Sequence, residues 1–141
     1  MDTVFVDSSV LFSAVNSPTG GSAKLFTTKR VTLITSRVVL TETERNIREK
    51  LQKYHLERFF MLVGKMTINR QLPNKKLIEQ AKKVIAEKDA VILAEAKRAK
   101  TRFLVTLDRK HFLTPAVGKF LQPQRVVTPK AFFKRGENQP E

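Results

Sequence analysis

Four short runs rich in β-forming residues constrain the fold of this chain more than any other feature: Thr3–Val6, Val31–Thr35, Arg102–Leu107 and Arg125–Val127. Each is close to continuously apolar instead of alternating, the pattern of a strand covered on both faces. The segments between them have helical spacing or helix-start chemistry. Val10–Val15 and Ser22–Thr28 read as short helices, Arg37–Lys53 as a longer one capped by Ser36, and Tyr54–Met66 as its continuation beyond a bend. Lys75–Glu87 is amphipathic, Asp89–Lys100 is rich in alanine, Pro115–Leu121 is a short helix or loop, and Pro129 suits the first turn of a last helix, Lys130–Lys134. Buried strands alternating with helices predict one α/β domain with a parallel sheet covered on both faces. The domain is expected over residues 1–135, with the polar stretch 136–141 as a disordered tail.

Composition narrows the function classes. With 141 residues the chain can bury a core without a covalent staple, and with no cysteine it has no disulfide, thiolate metal site or cysteine nucleophile. No apolar run approaches the ~18 residues of a membrane span, and Met1-Asp2-Thr3 lacks the basic start of a signal peptide. A soluble, cytoplasmic protein is expected. Its 27 Lys+Arg against 13 Asp+Glu leave a net charge of +14, spread from Lys24 to Arg135 and not confined to a tail. Such a surface favours a polyanionic partner, nucleic acid before membrane.

Against that background the aspartates are scarce: Asp2, Asp7, Asp89 and Asp108. Asp7 directly follows the first strand, Asp108 the third, and Asp89 opens the helix leading into the third. Parallel α/β sheets form their sites beyond the carboxyl ends of the strands, so these three acids are expected on one rim. Like charges gathered there repel and raise carboxyl pKa values unless a cation sits among them. All-oxygen ligands suit a hard divalent ion, Mg²⁺ or Mn²⁺. The duller roles are helix capping for Asp7 and Asp89 and a turn for Asp108. A fourth acid would come from the helix after the second strand, where periodicity does not choose between Glu42 and Glu44.

These residues resemble the PIN domain family. Val4-Phe-Val-Asp7-Ser8-Ser9 resembles its opening strand and first catalytic aspartate, and Ser36-Arg-Val-Val-Leu-Thr-Glu42 its serine, apolar residues and catalytic glutamate. That spacing selects Glu42 over Glu44. Lys88-Asp89-Ala90 resembles the third motif, Leu104-Val-Thr106-Leu-Asp108 the fourth, and Thr128-Pro129-Lys-Ala-Phe132 the closing strand-to-helix turn. The resemblance covers nearly the whole chain. It implies a three-layer α/β/α Rossmann-like fold with a central parallel sheet, and an endoribonuclease in which Asp7, Glu42, Asp89 and Asp108 are both catalytic residues and ligands of one or two Mg²⁺ or Mn²⁺ ions. Ser8, Ser9 and Thr106 would orient the carboxylates or contact phosphate, and Arg109 and Lys110 would bind the nucleic acid. Some relatives carry a further acid three residues beyond the fourth aspartate, where this chain has His111; both His55 and His111 read as structural or exposed. The Phe59-Phe60 and Phe132-Phe133 pairs read as core or dimer interface and not as stacking platforms.

Many small members of the family are VapC-like toxins of toxin–antitoxin pairs, commonly homodimers held inactive by an antitoxin protein. The resemblance therefore implies RNA, single-stranded or structured, and an antitoxin as partners. Other readings are a PIN-domain nuclease of RNA processing or decay, and a catalytically silent RNA-binding module, which an incomplete acid set would favour. A haloacid dehalogenase-type phosphatase also places an aspartate after its first strand, but it wants a second two residues on, where this chain has Ser9.

Overall fold

A computed structural model describes residues 2–137. Its elements run β1 (Asp2–Val6), α1 (Ser8–Asn16), α2 (Gly21–Lys24), β2 (Val31–Ser36), α3 (Arg37–Lys50), α4 (His55–Val63), β3 (Thr67–Asn69), α5 (Lys75–Lys82), α6 (Glu87–Ala99), β4 (Phe103–Val105), α7 (Pro115–Leu121), β5 (Arg125–Val127) and α8 (Pro129–Glu137). The five strands form one sheet in the order β3-β2-β1-β4-β5, with every neighbouring pair parallel. The chain winds outward from β1 through β2 to β3, then crosses back to β4 on the other side of β1. Right-handed crossovers in opposite directions place their helices on opposite faces, giving the three layers. α1 packs on α3 and α4, and α5 packs on α6.

The strand residues Val4, Phe5, Val6, Phe103, Leu104 and Val105 are all buried, as their unbroken apolar runs require. Phe5 and Phe103 are among the largest side chains sealed in the core. The alanines of α6 work by their size: Ala90, Ala94 and Ala96 are fully buried and let that helix approach the sheet closely. Of the phenylalanine pairs, Phe59 and Phe132 belong to the core, whereas Phe60 is exposed.

The structure departs from the sequence reading in several places. β3 is a fifth strand where none was expected. It is three residues long, lies at the sheet edge beside β2 (Thr35 opposite Ile68), and holds one apolar residue, so it carries no periodic signal. The amphipathic segment 75–87 ends as a helix at Lys82, and α6 begins at Glu87, so Asp89 is its third residue and not its cap. α3 stops at Lys50. Thr106 and Leu107 lie beyond the paired part of β4, where the chain turns into the rim. α8 runs through Glu137, two residues into the segment read as tail; the rest of that segment, 138–141, lies outside the described residues. Among the described residues no helix is long and apolar enough to cross a membrane.

Candidate active site

Winding direction reverses between β1 and β4, and a crevice opens there beyond the strands' carboxyl ends. Asp7 emerges from β1 and Asp108 from the turn after β4. α3 brings Glu42 over the same point and α6 brings Asp89. The four acids, with Ser8 and Ser9, line one cleft of about 270 Å³. Glu44, the alternative to Glu42, is outside it and pairs with Arg48 at 3.1 Å on the same helix.

Asp7 occupies the cap position of α1, yet its side chain makes no capping bond. Its carboxylate instead accepts from Thr106 Oγ1 at 2.7 Å and Ser9 Oγ at 2.8 Å, both on Oδ2, with Ser8 Oγ at a long 3.5 Å from Oδ1. The same hydroxyls tie the two strand ends together. Ser9 Oγ accepts from Leu107 N at 2.9 Å, and Thr106 Oγ1 from Asp108 N at 3.1 Å. Thr106 is therefore a relay between two acids, fully buried and with both its donor and acceptor capacity used.

Electrostatics follow from crowding and burial. Burial pushes the Asp7 carboxyl above its ordinary range, and the hydroxyls of Thr106 and Ser9 pull it partly back. Glu42 is raised by burial and then by the charge of Asp7. Asp89 is raised by burial, relieved in part by Lys88 and His111, and raised further by Asp108 and Asp7. Asp89 Oδ2 is buried with no hydrogen-bond partner. A buried carboxylate oxygen without a donor costs free energy unless something satisfies it. Several carboxylates held at raised pKa around such an oxygen fit a divalent cation by donor chemistry and by charge.

His111, read from sequence as structural or exposed, sits on the rim of this group. Asp108 Oδ1 accepts from His111 N at 2.9 Å, and Asp108 Oδ2 lies 3.0 Å from His111 Nδ1. Asp108 thus does hold a turn, as the duller reading had it, while also facing the cleft. One ligand atom from each of Asp89, Asp108 and His111 lies within 4.8 Å of the others, an arrangement able to hold a metal ion. The three-residue spacing of Asp108 and His111 was the available signal.

Arg109 lines a separate depression with Ser22, Leu107 and Lys130, and neither it nor Lys110 lines the acid cleft. The cleft wall instead contains Phe12, Asn46, Lys50, Lys88 and Phe112, to none of which the sequence reading gave a role in the site. Asn46 and Lys50 follow Glu42 at steps of four, which was their signal.

A parallel α/β sheet with acids from four elements gathered at its switch point is the architecture of a PIN domain. The chain belongs to the PIN domain family, whose model matches residues 4–116. Among solved structures it is similar to the VapC20 toxin of Mycobacterium tuberculosis, described as cleaving the sarcin–ricin loop, at 18% identity and a TM-score of 0.58 over 76% of this chain and 91% of that one. It is also similar to VapBC2 of Rickettsia felis, solved bound to a DNA fragment from its promoter, at 14% identity and a TM-score of 0.67 over 88% of this chain and 96% of that one. At such identities these likenesses establish the fold. No curated protein matches the chain.

Proposed function

We propose that this protein is a divalent-metal-dependent endoribonuclease that hydrolyses phosphodiester bonds, acting as the toxin of a toxin–antitoxin pair. The observation that carries the nuclease reading is the convergence of Asp7, Glu42, Asp89 and Asp108 on one cleft in a domain of this family. These four would hold one or two Mg²⁺ or Mn²⁺ ions, with His111 beside them. A bound divalent ion supplies Lewis-acid polarisation of the phosphate and a lowered pKa for water.

The chain's own residues do the rest. Ser9 and Thr106 hold Asp7 in one orientation and stabilise its charged form. His111 fixes the rotamer of Asp108. If the four acids are set aside, nine acids remain against 27 bases, so the surrounding surface is strongly cationic and draws RNA to a small acidic centre. The toxin assignment is supported by the similarity to VapC20, described as a toxin cleaving the sarcin–ricin loop, and to VapBC2, solved bound to a DNA fragment from its promoter. It carries with it a cytoplasmic location, an antitoxin partner and a homodimer.

Cleavage of labelled RNA with Mg²⁺, Mn²⁺ or EDTA, by wild type and Asp7→Asn, tests the chemistry. Cutting is expected with either metal in the wild type alone. Activity that survives EDTA or the substitution removes the mechanism. Growth arrest on expression, relieved by co-expressing a small neighbouring gene, separates a toxin from a nuclease of RNA processing or decay.

A further inference from the structure

The cleft offers more than carboxylates. Glu42, Asn46 and Lys50 stand at four-residue steps on α3 and so form one stripe, leading from the acids toward the helix's C-terminal end. α1 packs on α3, and Phe12 of α1 lines the same cleft, partly buried and packed on the core. Among the described residues the half-buried Asn46 amide and the exposed Lys50 ammonium make no hydrogen bond or ion pair, which leaves both free for a ligand. Lys88 of α6 adds a second cation beside Asp89.

An aromatic ring, an amide and an ammonium lining one cleft meet the needs of one nucleotide. A base stacks on the ring, its edge pairs with an amide that both donates and accepts, and its phosphate meets the cation. A base inside a duplex is stacked on both faces and its pairing edge is occupied, so it meets none of these. We infer that Phe12, Asn46 and Lys50 form a subsite for one unpaired nucleotide adjoining the acids. The subsite rests on the nuclease reading for the position of the scissile bond and selects single strands or unpaired loops over duplex.

The test is equilibrium binding with Mg²⁺ in the Asp7→Asn background, so that the probe stays intact. The probes are labelled single-stranded oligoribonucleotides of mixed sequence and the same strands as duplex, titrated across a range of salt. Phe12→Leu keeps the apolar packing and removes the ring face. It is expected to weaken single-strand binding by about 5-fold to about 150-fold while leaving duplex binding unchanged. Lys50→Ala, on an exposed side chain with no partner in the fold, is expected to lower the salt slope for single strands by about 0.7, whereas Lys76→Ala, at an exposed position of α5 outside the cleft, is not. Single-strand binding by Phe12→Leu that equals the parent's, equal losses on both probes, or an unchanged slope in Lys50→Ala overturns the subsite. RNA left uncut by the wild type, with the Phe12 effect intact, overturns the nuclease reading alone.

Discussion

Thr106→Val isolates the link between the two strand-end acids. Valine keeps the shape of threonine and its β-preference, so no cavity opens. It removes a hydroxyl 2.7 Å from Asp7 Oδ2 that also accepts from Asp108 N at 3.1 Å. Losing a hydrogen bond to a charged group costs about 1.5–3 kcal/mol, and an unsatisfied buried N–H adds about 1 kcal/mol or more. Ser9 still donates to the same carboxylate oxygen, which favours the lower end, and the expected loss is about 3 kcal/mol. For a domain of this size that is a fall of roughly 6–12 °C in the thermal midpoint. A double-mutant cycle with Asp7→Asn, read by urea unfolding, should show a coupling of about 1–2 kcal/mol. Effects that add within about 0.5 kcal/mol would refute the relay. Because the Thr106 bond lowers the Asp7 pKa, its removal should also move the acid limb of the activity profile to higher pH.

Two further outcomes follow from the buried carboxyls. Asp7, Glu42 and Asp89 titrate above their ordinary range in the fold, so their contribution to stability is full below the unfolded pKa and is lost as pH rises through the raised folded values. EDTA-treated protein should therefore melt higher as pH is lowered from neutral into the mildly acidic range, Mn²⁺ at about 100 times its Kd should restore about 2.7 kcal/mol at neutral pH, and Asp89→Asn should blunt both responses in differential scanning fluorimetry; a flat or inverted pH slope would contradict this electrostatic account. Glu95, buried in α6 and raised by burial, accepts from Ser36 Oγ at 2.8 Å, while Ser36 Oγ accepts from Val39 N to cap α3. Ser36→Ala should cost about 1 kcal/mol for the cap and about 1–3 kcal/mol for the stranded carboxyl, and Glu95→Gln, which keeps an acceptor, should be close to neutral in urea unfolding.

Legibility in the sequence tracked the range of the interaction involved. β1, β2 and α6 were readable because burial on both faces leaves an apolar run, and close packing leaves alanines. Ser36 was readable as a cap because capping is local. β3 was not, since three edge residues with one apolar side chain owe their pairing to β2 and not to their own pattern. Asp7, Asp89 and Asp108 stood out by scarcity and position, but their capping and turn roles were equally open from local rules. The bonds from Ser9 and Thr106 to Asp7 span a turn and 99 residues of chain, and no local pattern reports the longer one.

By itself, the chain of amino acids determined the layered α/β class, the basic surface, and which acids stand at strand ends, because burial, charge and turn chemistry are written in short windows. Tertiary structure decided how those acids meet. The strand order places β1 beside β4, bringing Asp7 next to Thr106 and Asp108, and the packing of α1 on α3 puts Phe12 into the same cleft wall as Asn46 and Lys50. Those neighbours are far apart in sequence, and their desolvation and mutual charge arise when the sheet assembles.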